Sequence, residues 1–203
     1  MAVGSPARTA EGQGDPTAAP TSGELSGREA DRMVRTAPAI TARPAPEVPT
    51  IGPDPVAELR RRRLSLPVDD ADIDGTRGHF AQPRDGGSRA HQAIDILAPR
   101  HTPVRAVDAG RIAKLFFSRG GGVTVYQFDR AERYTYYYAH LERYAPGLKE
   151  GSLVSKGEVI AYVGTSGNAP PGTPHLHFAI FELTDEKRWW DGRPVDPYLV
   201  LRD

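Results

Sequence analysis

The chain contains no cysteine, so it can build neither a disulfide framework nor a thiolate metal site, and any bound metal must rely on histidine and carboxylate. It also has no net charge, with 26 Lys+Arg against 26 Asp+Glu, which argues against a nucleic-acid binder working by bulk electrostatics. No apolar run approaches the ~18 residues that a membrane-spanning helix needs. The most informative absence is local. The 6 Phe, 8 Tyr and 2 Trp all lie at or beyond Phe80, and the first 79 residues have none.

A length of 203 residues suits one domain with a tail, or two small domains. Residues 1–55 carry 9 prolines and 6 glycines among Ala, Thr, Ser and scattered charge. Such a composition offers too little large apolar surface to offset chain entropy, so residues 1–53 read as a disordered leader or linker. Residues 41–49 (TARPAPEVP) favour extended polyproline-like conformers. The segment is either a spacer or a leader without a role of its own. The opening MAVGSPARTAEGQGD lacks the apolar core of ~7–15 residues that a secretory signal requires. The expectation is therefore a chain not exported by that route, or one whose signal lies outside this sequence.

Residues 54–65 read as a short helix or connector. Asp54 can cap it, Pro55 suits its first turn, and Leu59 and Leu64 fall on neighbouring turns. The basic run Arg60–Arg63 reads as a solvated helix end rather than a polyanion site.

From Phe80 the pattern changes to short runs rich in β-branched and aromatic residues, separated by glycine turns. Residues 93–97, 104–117, 123–128, 134–140, 159–163 and 175–183 are the strand candidates, and only 141–147 and 185–190 leave room for a helical turn. Strands so closely spaced predict a mainly β fold, an antiparallel barrel-like roll or a sandwich.

Six histidines punctuate this region: His79, His91, His101, His140, His175 and His177. Residues two apart on a strand share a face, roughly 6–7 Å apart, so His175 and His177 look the same way while Leu176 and Phe178 face the opposite layer. Two imidazoles so placed suit a metal pair, or one ligand beside one proton-transfer group. His91 and Asp95 form an H-x-x-x-D pair that would lie roughly 13 Å apart on an extended chain. They can share a metal only if the backbone bends between them. Asp95 stands in an apolar run, so its carboxylate must be paired or metal-bound, Arg89 and Arg100 being the nearest candidate partners. His140 ends a Tyr136–Tyr137–Tyr138–Ala139–His140 run in which alternation puts Tyr136, Tyr138 and His140 on one face. His79 and His101 have no supporting pattern.

The order of H-x-x-x-D, a later Tyr-Ala-His and a glycine-rich loop ending in His-Leu-His closely resembles the lysostaphin-type zinc metallopeptidases, which cleave peptide bonds in bacterial peptidoglycan. The resemblance runs over about residues 66–201 through HQAIDILAPRHTPVRAVDAGRI, YYYAHLERYAPGL, EGSLVSKGEVIAYVG and GTSGNAPPGTPHLHFAI. It implies a single catalytic domain over 66–203, an antiparallel β-roll of the duplicated hybrid motif type. It also implies one Zn²⁺ per chain held by His91, Asp95 and His177, with His140 and His175 as catalytic histidines beside the open coordination position. Peptidoglycan peptides are the implied partner, and the cell envelope, either periplasm or cell surface, the implied location. Two positions depart from the family pattern: Ala93 and His101 stand where glycine is usual, so His101 is expected to strain a positive-φ turn.

Two other readings compete. One is a non-enzymatic relative that binds and activates another cell-wall hydrolase, a class that typically lacks a ligand. The other is a biotinyl or lipoyl carrier, suggested by the cadence of 148–164, with Lys156 as the modified residue on a hairpin turn. Which peptide bond is cut lies in loop shape rather than in these motifs; with no targeting domain after Asp203, a glycine bridge is the less attractive substrate.

Overall fold

The computed structural model describes residues 54–202. The expected disordered leader over 1–53 lies outside them.

The described chain opens with helix α1 (Pro55–Arg62), closed by Arg63 in the left-handed region (φ 52°). Asp54 caps α1, its carboxylate accepting from the Val56 N–H at 3.1 Å, and Pro55 occupies the first turn where its missing N–H costs nothing. A small hairpin follows, β1 (Pro83–Arg84) with β2 (Arg89–Ala90). The large antiparallel sheet then forms from β3 (Ile94–Leu97), β4 (Pro103–Arg105), β5 (Gly110–Ser118), β6 (Gly122–Asp129) and β7 (Tyr134–Tyr144). It is completed by β8 (Leu153–Val154), β9 (Val159–Val163), β10 (His175–Leu183) and β11 (Gly192–Val195), before a last helix α2 (Pro197–Leu201). The spatial order is β11–β10–β7–β6–β5–β8; β3 shares the outer edge of β10 with β11, and β9 pairs with β4 and with the far end of β7. The mainly β, antiparallel architecture is as the sequence suggested.

Three local expectations change. The segment 104–117 is two strands rather than one, β4 and β5, separated by the turn that contains Asp108. Residues 141–144 extend β7 instead of starting a helical turn, because they find β9 as a partner, with Leu141 opposite Val163 and Tyr144 opposite Ala161. Residues 185–190 form turns without a helix.

Period two in β7 builds the core. Tyr134, Tyr136 and Tyr138 point the same way and are all fully buried, and each hydroxyl reaches a partner. Tyr134 donates to Glu58, Tyr136 to Asp108, and Tyr138 to Gln127 at 2.8 Å while accepting from the Val107 N–H. Buried phenols without partners would be costly, so these bonds are what allow tyrosine to fill this layer beside Ile94, Ile96, Leu176, Phe178 and Ile180.

Arg60, Arg61 and Arg63 are exposed, as a solvated helix end would be, but Arg62 is docked. Arg62 pairs with Glu58 at 2.7 Å and with Asp129 at 2.8 Å, and its guanidinium lies 5.0 Å from the Tyr134 ring. The Asp129 side chain is 1% exposed and also accepts the N–H groups of Arg133 and Tyr134, which closes the β6–β7 turn. Arg60 donates to the Leu199 carbonyl within α2. Leu59, with no exposed surface, carries α1 into the shared core. We expect Leu59→Ala to cost about 2–5 kcal/mol through lost burial and a residual cavity, read as a lower urea midpoint at unchanged slope.

Candidate metal centre and active site

Strand β10 sets the frame. In its ladders His177 stands opposite Asp95 of β3 on one side and Ala139 of β7 on the other, so these three residues share one face of the sheet. His175, two residues earlier, lies on that face as well, while Leu176 and Phe178 point into the core.

His91 reaches the same place by a bend. It follows β2, and Gln92 adopts φ 58°, a left-handed conformation that folds the chain back before β3. The bend is the one that the H-x-x-x-D spacing demanded. Ala93, where the family pattern has glycine, is fully buried against Ala179 and Phe181 and is not among the positive-φ residues. His101 does take positive φ (72°), as expected of a residue in a glycine position.

Three ligand atoms converge. His91 Nε2 lies 3.0 Å from His177 Nδ1; Asp95 Oδ1 lies 3.0 Å from His177 Nδ1 and 3.2 Å from His91 Nε2. A tetrahedral zinc with bonds of 2.0–2.1 Å separates its ligand atoms by roughly 3.3 Å. The triangle therefore has the size of one face of a zinc coordination shell. The chemistry fits too. His91 Nδ1 faces the His79 carbonyl at 3.2 Å, and a carbonyl only accepts, so Nδ1 carries the hydrogen and Nε2 presents its lone pair. Lone pairs set this close repel one another unless a cation or a shared proton lies between them.

Burial works to raise the Asp95 carboxyl, but hydrogen bonds with His177 and His91 outweigh it and hold the group well below the usual carboxylate range. Burial also lowers His177. The distal oxygen of Asp95 accepts from Arg84 Nη2 at 2.9 Å. The arginine beside Asp95 is thus Arg84, not Arg89 or Arg100; Arg100 is engaged with Glu142.

Two more imidazoles border the triangle. The His140 ring lies 4.8 Å from that of His175 and 5.6 Å from that of His177, and His175 Nε2 is 3.9 Å from Asp95 Oδ1. Alternation along β7 would have turned His140 inward with Tyr136 and Tyr138. Instead the β6–β7 register shifts, Val123 facing Leu141 and Val125 facing Tyr138, so Ala139 and His140 together oppose Thr124. His140 takes φ 58° within this bulge and swings to the site face. Its N–H donates to the Gly121 carbonyl and its Nδ1 to the Ser166 carbonyl at 2.9 Å. His175 Nδ1 donates likewise to the Thr173 carbonyl. Both rings therefore direct Nε2 away from their carbonyl partners and carry no hydrogen there when neutral. Burial pushes the His140 imidazole down to about 4, with the neighbouring His177 and His175 adding to the effect and the Ser166 carbonyl opposing it.

The loops that hold His140 touch at glycine. A Cβ on Gly167 would sit 2.3 Å from the Gly120 carbonyl, and one on Gly122 would sit 2.2 Å from Ser166 Oγ. Ser166 Oγ accepts from the Val123 N–H and donates to the Leu141 carbonyl, which clamps both sides of the bulge.

Sequence reasoning missed His79 and Arg84. His79 accepts from His91 through its carbonyl and from the Asp95 N–H through its ring at 3.3 Å. Neither residue stands in a periodic pattern, since His79 opens a three-residue 3₁₀ turn and Arg84 lies in a two-residue strand. Lys156, the carrier reading's candidate, donates to the Arg63 carbonyl.

The His–Asp–His triangle, with two further imidazole nitrogens beside it on the face of an antiparallel sheet, is a group that could hold a metal ion. The sequence profile of peptidase family M23 matches residues 89–197, more than half of the chain, and the chain belongs to that family. It is 37% identical over 122 residues to the L-Ala–D-Glu endopeptidase of Bacillus subtilis, covering 58% of this chain and 36% of that protein. It is 38% identical over 113 residues to the DD-carboxypeptidase/endopeptidase Mpg of Neisseria meningitidis, covering 55% and 23%. The chain thus spans about a third or less of the length of these relatives. Among solved structures, Helicobacter pylori Csd3 matches with a TM-score of 0.50 at 27% identity over 69% of this chain and 33% of that one. The catalytic domain of lysostaphin from Staphylococcus simulans shares the fold, with a TM-score of 0.50 at 23% identity over 73% of this chain and 98% of that one.

The depressed His140 pKa makes a stability prediction for metal-free protein. An unfolded imidazole titrates near 6.5, so below that pH the unfolded chain takes up a proton that folded His140 refuses until about 4. The stability from His140 is complete above pH 6.5 and is lost as pH falls through about 4. Urea midpoints should fall over that window and fall less steeply in His140→Asn, which tolerates the left-handed backbone.

Proposed function

We propose that the chain is a zinc-dependent endopeptidase acting on stem or cross-link peptides of bacterial peptidoglycan. The observation that carries this reading is the ligand triangle of His91 Nε2, Asp95 Oδ1 and His177 Nδ1, with edges of 3.0–3.2 Å, beside two imidazoles whose other nitrogens are pinned to backbone carbonyls. One zinc ion held there would acidify water and polarise the scissile carbonyl.

The remaining steps belong to side chains. Low-pKa His140 is unprotonated at neutral pH, so its Nε2 is ready to take the proton of the attacking water. Once protonated, it can deliver that proton to the leaving amine. His175 Nε2 lies 3.9 Å from Asp95 Oδ1, where, when protonated, it can donate to the developing oxyanion. Because Nδ1 of each ring is already engaged, neither imidazole has to reorient between taking and giving a proton. The Tyr137 ring, 5.9 Å from that of His177 and 4.6 Å from that of Tyr126, packs beside the site. The peptidase unit of this reading is residues 66–203, with the 54–65 segment docked on it, and its place of work is the cell envelope.

A relative that only activates another hydrolase needs no complete ligand set, and here every ligand and both flanking imidazoles are present. Metal analysis after chelation and reconstitution should give one zinc per chain; a chain that never retains zinc and never cuts murein sinks the enzyme reading. His91→Ala or Asp95→Ala should abolish zinc binding. His140→Ala and His140→Asn should keep the metal while kcat drops about 10²–10⁴-fold, measured by mass spectrometry of fragments released from purified murein, which also identifies the bond cut.

A further inference from the structure

The segment 79–92 does more than deliver His91. It folds back on itself through the β1–β2 hairpin, with the His91 N–H on the Gln82 carbonyl and the Gln92 N–H on the Phe80 carbonyl. By that route Arg84 comes to lie against Asp95. The two oxygens of Asp95 are thereby divided: Oδ1 faces the two histidine nitrogens, and Oδ2 is held by Arg84 Nη2 at 2.9 Å.

We propose that Arg84 is a positioning residue that confines Asp95 to binding the metal through one oxygen, leaving the fourth coordination position to water or substrate. The inference rests on the zinc-peptidase reading and adds to it what keeps the site open. A carboxylate free to rotate can bind a cation through both oxygens, and zinc readily expands to five ligands. Occupying the second oxygen with a fixed cationic donor prevents that. The guanidinium also draws charge from Asp95, which would leave a metal bound there more electrophilic.

Two features favour this over a simple surface ion pair. Arg84 Nε is buried with no hydrogen-bond partner, an expense a surface arginine avoids. The Asp95 N–H is taken by the His79 ring, so the carboxylate is anchored at its backbone while Arg84 fixes its far end. Arginine suits the task because its planar fork holds direction, whereas a lysine ammonium is a rotating point charge.

The test is a cobalt(II)-substituted protein together with zinc affinity from chelator competition, neither of which requires turnover. Wild type should show the intense visible bands of four-coordinate cobalt. Arg84→Gln should show bands several-fold weaker, typical of five or six ligands, and should bind zinc on the order of 10–100-fold less tightly. Arg84→Lys should recover part of the affinity but not the spectrum. If Arg84→Gln lowers only the melting temperature of the metal-free protein and leaves spectrum and affinity as in wild type, Arg84 merely braces the hairpin and the proposal is overturned. If the wild type itself takes up no metal, the peptidase reading falls and this inference with it.

Discussion

Strand β10 must satisfy the core and the site at once, and the antiparallel register that achieves this is what the rest of the structure depends on. With His177 opposite both Asp95 and Ala139, the odd-numbered residues His175 and His177 face the open side, while Leu176, Phe178 and Ile180 fill the interior. A slip of one residue would bury both imidazoles and expose those three apolar side chains. Burial of roughly 1.5–3 kcal/mol for each large apolar side chain therefore enforces the placement of the two histidines. Core energetics and the geometry of the candidate site are two readouts of one register.

Against that regular frame the site uses irregular backbone at two points. Gln92 and His140 both occupy the left-handed region, a conformation that costs a non-glycine residue on the order of 1–3 kcal/mol. Each deviation aims a histidine that a straight strand would misdirect. The bulge at His140 survives because its surroundings over-determine it: Gly121 takes its N–H, Ser166 takes its ring hydrogen, and the Ser166 hydroxyl ties Val123 to Leu141. The close glycine contacts between the 120–122 and 166–167 loops bring these partners within range.

At the opposite side of the sheet, polar groups that looked expendable hold the fold together. Arg62, Glu58 and Asp129 form a partly buried network joining α1 to the β6–β7 turn, and Tyr134 adds its hydroxyl to Glu58. The four-arginine run carries no local sign of this, because its carboxylate partner Asp129 lies 67 residues further on. His79 and Arg84 were illegible for the same reason. Their roles are set by a fold-back of irregular chain, where neither a period of two nor one of 3.6 marks which residues meet.

The sequence by itself determined the β class, the helix cap at Asp54, the inward and outward faces of His175–Leu183, and the five residues worth following: His91, Asp95, His140, His175 and His177. The first three are matters of periodicity and residue chemistry, both local; the set of five is what the resemblance to the lysostaphin-type family implies. The tertiary structure alone decided that His91 and Asp95 approach within 3.2 Å, that His140 leaves the tyrosine face, and that Arg84 and His79 support the carboxylate and imidazole. Those outcomes depend on left-handed residues and on contacts between distant segments. Their cost is borne by packing elsewhere in the molecule, and no window of sequence contains both the strain and what compensates it.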